Sequence, residues 1–254
     1  MMRVIKIGGR VQRDPALAGA LARLWAAEQA GFCVVHGGGE TISALQTQLG
    51  SAPRFVDGRR VTTNADIDVL RMALSGVANK RFVASLSAVG APAVGISGED
   101  GSLLVARAMN AAVLGRVGEV SQVNDALLRA LLAAGFLPVI SPVACGEDAA
   151  SGGAYNVNAD DAAAAIAASL EAVELLLISD VRGVMIDGVM AQSLTVDEAA
   201  YAIESGIATE GMATKLRAAL DALQRGVPQV RIGSLDALSG PGLGTMLLAA
   251  TQLA

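Results

Sequence analysis

The chain has 254 residues, 53% hydrophobic and 17% charged, with a formal net charge of −5. That length can bury a sizeable core, and that balance excludes a disordered polymer. The acidic surplus argues against broad binding to nucleic acid or anionic membrane, although it permits a local basic pocket.

Short runs rich in β-branched residues recur along the chain: RVIKI at 3–7, FCVVH at 32–36, APAVGI at 91–96, LPVISPV at 137–143, ELLLIS at 174–179 and PQVRIG at 228–233. Between them lie stretches of helical period: Pro15–Gln29, Ile67–Val89, Asn124–Ala134, Asp160–Leu170, Val196–Glu204 and Met212–Gln224. Continuous apolar strands alternating with helices predict an α/β fold with a mostly parallel sheet covered on both faces. Shorter runs at 103–107 and 116–120 read as a small hairpin, and the polar segment Gly146–Gly153 as a loop. A first half (about 1–150) and a second half (about 151–254) are expected as two lobes sharing one sheet. Cys33 and Cys145 are too few for a disulfide scaffold, no C-x-x-C pair marks zinc, and Cys33 reads as a small buried hydrophobe. No signal-peptide pattern is present, and every apolar run falls short of the roughly 20 residues of a membrane span. A cytoplasmic location is the expectation.

Glycine loops follow three of the strands: Gly8-Gly9, Gly37-Gly38-Gly39 and Gly95-Ser97-Gly98. In open parallel sheets ligands bind beyond the carboxyl ends of strands, where glycines let backbone N–H groups approach an anion and a following helix adds a positive dipole. Two such loops on neighbouring strands point to an anion site. The G-x-x-x-x-G-K-[ST], G-x-G-x-x-G and G-x-S-x-G signatures are all absent. His36 is the single histidine, and without an elbow serine it makes no Ser-His-Asp enzyme.

Only three of the 19 basic residues are lysines: Lys6, Lys80 and Lys215. Lys6 interrupts an apolar strand just before a glycine pair, where a buried ammonium needs anionic partners. Asn156, Asn158 and Asp160 precede an alanine-rich helix at a spacing of two. Asn158 or Asp160 serves as N-cap, and on an extended stretch all three project to one side. Asp180 closes a strand before the glycine-containing loop at Gly183. Lys215 lies in the first turns of the last helix, beyond Met212. Arg59-Arg60 is suited to bidentate recognition of a carboxylate.

Taken in order, KIGG, HGGG, GRRVT, ANK, NVNAD, SDVRGV and GMATK resemble the amino acid kinase family, and within it the branch that phosphorylates N-acetyl-L-glutamate. The resemblance runs from Met2 to about Leu248. It implies a three-layer αβα sandwich, an N-lobe for the acylated amino acid and dimerisation, and a C-lobe for ATP. It implies transfer of the γ-phosphoryl of ATP, with Mg²⁺, to the side-chain carboxylate, the second step of arginine biosynthesis. Carried over by motif, Lys6 and Lys215 stabilise the phosphoryl group and Asp160 organises them. Gly8 and Gly9 line the phosphoryl path, Gly38, Gly39, Asn156 and Asn158 face the substrate, and Arg60, placed directly before Val61-Thr62, clamps its α-carboxylate. Asp180, Gly183 and Met212 border the nucleotide, and no residue is assigned to a metal. The implied assembly is a homodimer insensitive to arginine, since the extra N-terminal helix of regulated relatives does not precede the first strand. Arg10 and Arg59 depart from the pattern. Rival expectations are a related kinase of another acylated or carrier-linked glutamate or aminoadipate, and a non-catalytic amino-acid sensor.

A carboxylate acceptor is ionised at neutral pH, since the glutamate side chain has a pKa of about 4.3, so this chemistry needs no general base. It needs positive charge and N–H donors around the transferring group.

Overall fold

The computed structural model describes residues 2–28, 31–147, 153–240 and 242–248. The first half opens with strand β1 (Arg3–Ile7), helix α1 (Pro15–Glu28), β2 (Phe32–His36) and α2 (Gly39–Gln48). A two-residue-per-strand hairpin, β3 (Phe55–Val56) and β4 (Arg59–Arg60), leads into α3 (Asn64–Leu70). A π-helical stretch, Arg71–Ala78, continues α3 directly into α4 (Asn79–Ala88). Then follow β5 (Ala93–Gly98), β6 (Leu104–Ala108), α5 (Ala111–Leu114), β7 (Val117–Val123), α6 (Asp125–Ala133) and β8 (Leu137–Gly146). The second half holds β9 (Ala154–Val157), α7 (Ala159–Ser169), β10 (Glu174–Ile178), β11 (Met185–Ile186), β12 (Val189–Met190) and β13 (Ser193–Leu194). It ends with α8 (Val196–Glu204), α9 (Glu210–Gln224), β14 (Gln229–Gly233) and β15 (Thr245–Leu248).

Strands from both halves form one sheet in the order β13-β15-β14-β10-β1-β2-β8-β6-β7-β9, with β5 also paired to β8. The run β14-β10-β1-β2-β8-β5 is parallel throughout, while β6–β7, β8–β9 and β14–β15 are antiparallel. The expected α/β sandwich with a mostly parallel sheet is therefore present, and the 103–107/116–120 hairpin is β6–β7, shifted by a residue.

Alternation along the strands sorts side chains to two cores. Ile5 and Ile7 of β1, with Val34, Leu176 and Ile178, pack against Leu17 and Leu21 of α1 and Phe82 and Leu86 of α4. Val4, Cys33, Val35, Leu175 and Leu177 face the other way, against α7 and α9. Lys6 shares the parity of Val4, so its side chain must leave the sheet on the α7–α9 side. Residues 162–167 of α7 are all buried, and the five alanines among these six residues let the helix lie close on the strands. At the far end of the strands, buried Arg231 donates through Nε to Glu174 at 2.8 Å, and Arg3 joins Glu174 at 3.2 Å.

Boundaries differ from the sequence reading at several ends. The stretch expected as one helix over 67–89 begins at Asn64, where Thr63 and Asp66 form a capping box. Its middle is π-wound, which no residue pattern announces. The strand expected at 91–96 lies at Ala93–Gly98, because Ala91 is still tied to Leu86 at the end of α4. The strand expected at 137–143 continues to Gly146 by pairing with β6 and β9. The middle of the loop expected at Gly146–Gly153, residues 148–152, lies outside the described residues, as does Gln29 at the end of the first expected helix.

Candidate active site

The loops after β1 and β2 lie side by side, since Gly8 N–H donates to Ile178 O at 2.8 Å and Gly37 N–H to Ile7 O at 3.1 Å. Gly38 sits so close to the π-helical stretch that a Cβ there would lie 2.6 Å from Leu74 Cδ1. The π-winding is what places Leu74 and Ala78 beneath this glycine, a common position for such irregular turns. His36 fixes the same loop from below. Its Nδ1 bonds Gly37 O at 2.8 Å, its Nε2 lies 3.0 Å from Asn79 Nδ2, and Asn79 also donates to Val139 O at 2.9 Å. Burial, against the pull of the Gly37 carbonyl, lowers the His36 pKa to about 4. A neutral, fully buried imidazole with both nitrogens engaged is a structural pin and no base.

Lys6, from β1, and Lys215, from the second turn of α9, converge on Asp160 at the start of α7. Lys6 Nζ lies 2.8 Å from Asp160 Oδ1 and Lys215 Nζ 3.1 Å from Oδ2. Lys6 is 6% exposed and Asp160 4%. Burial lowers Lys6 to about 8 despite Asp160, with Lys215 adding to the fall. Burial by itself would raise the Asp160 carboxyl, but the two lysines outweigh it and hold it below its ordinary value. The result is a triad with one surplus positive charge at the mouth of the glycine loops.

Asn158 caps α7, accepting from Asp160 N–H at 2.8 Å, so the N-cap left open between these two residues falls to Asn158. Asn156 donates to Thr62 Oγ1 at 2.9 Å, and Thr62 donates to Arg60 O at 2.9 Å. Arg60 is buried. Its guanidinium donates to Gln46 Oε1, to Ser43 Oγ at 2.8 Å and to Gly39 O at 2.9 Å, and stacks on Phe55 at 4.8 Å. Gln46 is itself held by Asp66, at 2.7 Å from its Nε2. One cavity gathers Lys6, Gly9, Gly38, Gly39, Arg60, Asn156, Asn158 and Asp160 along its walls. A cleft with a fixed guanidinium, the Lys6 ammonium and two glycine loops, and with Lys215 held on the same aspartate, is suited to a dianionic small molecule beside a phosphate chain.

The model of the amino acid kinase family matches residues 1–234. The chain belongs to the amino acid kinase family. The acetylglutamate kinase of Chloroflexus aurantiacus is 44% identical to it over 241 residues, covering 94% of each chain. That of Geobacillus kaustophilus is 42% identical over 233 residues, 91% of this chain and 89% of the relative. Among solved structures, N-acetylglutamate synthase from Neisseria gonorrhoeae, complexed with coenzyme A and L-arginine, superposes with a TM-score of 0.81 at 25% identity, over 97% of this chain and 61% of that one. Carbamate kinase from Giardia lamblia shares the fold, with a TM-score of 0.71 at 15% identity over 98% of both chains.

Lys215 and the other residues expected from the motifs, Gly8, Asp180, Gly183 and Met212, are not among those that line this cavity. Asp180 is half exposed and accepts from Arg10 Nη1 at 2.8 Å; Arg10 Nε reaches Glu40 at 3.3 Å. Arg10, which departs from the amino acid kinase pattern, thus bridges the loop after β10 and the first turn of α2. A Cβ on Gly8 would lie 3.2 Å from Ile178 O and 3.6 Å from Ser179 Cα, and one on Gly183 would lie 2.6 Å from Thr245 Oγ1 and 3.0 Å from Met190 Cγ. Met212 is partly buried against the core formed by α7 and α9. Sequence reasoning missed Gln46, Ser43 and Thr62. Gln46 carried a readable signal, because a polar residue on the buried stripe of α2, one turn after Ile42, demands a partner. Among the described residues there is no group of three or more His, Cys, Asp or Glu side chains able to hold a metal, and no helix is long and apolar enough to cross a membrane.

Proposed function

We propose that this chain is an acetylglutamate kinase, transferring the γ-phosphoryl group of ATP to the side-chain carboxylate of N-acetyl-L-glutamate and releasing ADP and an acyl phosphate. The observation that carries the reading is that Lys6 and Asp160 line the same cavity as Arg60, with Lys215 paired to the same carboxylate. Its support is a family membership whose 42–44% identical relatives are named for this reaction.

Arg60, pre-set by Gln46, Ser43 and Gly39, offers its fixed fork to the α-carboxylate, and Asn156 faces the substrate beside it. The acceptor carboxylate is already anionic, so the barrier is the approach of two negative groups. Lys6 and Lys215 supply the positive charge that offsets it, and Asp160 holds the two ammoniums apart and in place. The loops Gly8-Gly9 and Gly37–Gly39 bring backbone donors to the phosphoryl path, and Asp180, Gly183 and Met212 border the nucleotide. Mg²⁺ carried on the triphosphate would neutralise phosphate charge; among the described residues no carboxylate cluster offers it a separate site. The first half, about 1–150, is assigned to the amino acid and the second, about 151–254, to ATP. A cytoplasmic homodimer fits such an enzyme.

ADP release measured with N-acetyl-L-glutamate, L-glutamate and N-succinyl-L-glutamate tests the assignment. The acetylated substrate should be turned over with kcat/KM well above the other two. Equal or greater turnover of either competitor would reassign the acceptor.

A further inference from the structure

Arg59 and Arg60 are consecutive on β4, so their side chains leave opposite faces of the strand. Arg60 reaches α2 in the first half of the chain. Arg59 Nη1 lies 2.8 Å from Oδ2 of Asp161, in the first turn of α7, with the two side chains only 20% and 22% exposed. Asp161 directly follows Asp160. One two-residue strand is therefore pinned to the substrate side by one arginine and to the catalytic helix by the next.

The hairpin needs such pins. It has two paired residues per strand, Phe55 with Arg60 and Val56 with Arg59, around a turn in which Asp57 and Gly58 both adopt positive φ, 49° and 74°. A hairpin this short has no stability of its own. Gly58, Arg59 and Arg60 nevertheless form a wall of the cavity that contains Lys6 and Asp160. The opposite side of the hairpin faces Ala208, Thr214 and Arg217 around α9. Where this hairpin stands decides how far the guanidinium of Arg60 lies from the lysine triad.

We infer that Arg59 is a positioning residue, whose ion pair with Asp161 clasps the β3–β4 hairpin to α7 and sets Arg60 at its working distance from Lys6 and Asp160. The role of Arg60 rests on the kinase reading; the clasp itself does not. Burial raises the Asp161 carboxyl above its ordinary value, with Arg59 pulling the other way, so removing Arg59 leaves a buried carboxylate without its partner. Asp161 also answers the other role open to Arg59, direct contact with the substrate carboxylate. If Arg59 bound substrate, freeing it from Asp161 would tighten binding. If it is a clasp, freeing it loosens binding.

The test uses the full chain with R59L, R59K, D161N and the double variant R59L/D161N, read by steady-state kinetics and by hydrogen exchange of the ligand-free hairpin amides. R59L and D161N should each raise KM for N-acetyl-L-glutamate roughly tenfold, the loss of about 1.4 kcal/mol, with a smaller change in kcat. R59K, which keeps the charge, should recover most of the difference. The double variant should be no worse than the worse single one. Exchange at residues 55–60 should quicken in both single variants. D161N at wild-type or lower KM, or additive effects in the double variant, would overturn the clasp. Absence of acetylglutamate turnover in the unaltered enzyme would overturn the kinase reading instead, and the exchange measurement would then decide the clasp by itself.

Discussion

Lys6 and Lys215 meet on a single carboxylate, approaching Oδ1 and Oδ2 of Asp160 at 2.8 and 3.1 Å. One lysine comes from the first strand of the chain and the other from its last long helix, 209 positions apart by their numbers, 215 minus 6. Neither ammonium would be tolerated at this depth without the aspartate, and the aspartate cannot neutralise both. The remaining charge is what the site presents to a phosphoryl group.

Replacing either Lys6 or Lys215 by alanine should lower kcat about 10²- to 10³-fold, as loss of one preorganised donor does elsewhere. Urea unfolding should shift far less than the rate, because the other lysine still pairs with Asp160. Asp160→Asn should act on both readouts, since it strands two buried cations, at a cost of roughly 3–5 kcal/mol. A lysine variant with near-normal turnover would remove that lysine from the mechanism.

In its proposed role Lys6 acts as a protonated ammonium, and burial brings its pKa down to about 8 in the free protein. The profile of kcat/KM should therefore fall as pH rises through about 8. Bound phosphate favours the charged form, so the corresponding limb of kcat should lie at higher pH. A kcat/KM profile that stays flat to pH 9.5 would contradict the placement.

Arg60→Lys should raise KM for acetylglutamate by about 10- to 100-fold while leaving KM for ATP nearly unchanged, because an ammonium cannot reproduce the fork. Gln46→Leu should produce a smaller rise in the same direction, since Gln46 only aims the guanidinium and is in turn aimed by Asp66. Kinetics with each substrate varied at saturating levels of the other separate the two effects.

His36 predicts an acid-side loss of stability. Its folded pKa of about 4 lies below the ordinary value of 6.5. Between these values the unfolded chain takes up a proton that the folded chain refuses, so stability falls as pH drops through that window. The loss is absent above the window and grows to ~3 kcal/mol at its lower end, from 1.36 kcal/mol per pKa unit. Urea midpoints at pH 7.5, 5.5 and 4.5 should show a shallower pH dependence in His36→Gln than in the unaltered chain. Equal slopes would count against a buried neutral imidazole.

Much of this was legible in the residues. The parity of Lys6 within an apolar strand, the glycine pairs that follow two strands, and the Asn156–Asn158–Asp160 spacing each carried a local demand for a partner. The alternation of apolar runs with helical stretches carried the sheet. What was not legible depended on packing between distant segments. The π-winding at Arg71–Ala78 brings Leu74 under Gly38, and neither residue shows it alone. The motif favours Arg60 over Arg59 only by its place before Val61-Thr62, and it is the opposite faces of one strand that give them different partners, Gln46 and Asp161. Arg10 looked unexplained because its partners, Glu40 and Asp180, lie 30 and 170 residues away.

Trapping the product with hydroxylamine tests the central claim most directly. An acyl phosphate reacts to a hydroxamate, whereas idle hydrolysis of ATP leaves only phosphate. With N-acetyl-L-glutamate and ATP the protein should form one hydroxamate for each ADP, and Lys6→Ala and Lys215→Ala should lose both products together. ADP without hydroxamate, or neither product from the unaltered protein, would contradict phosphoryl transfer to the substrate carboxylate.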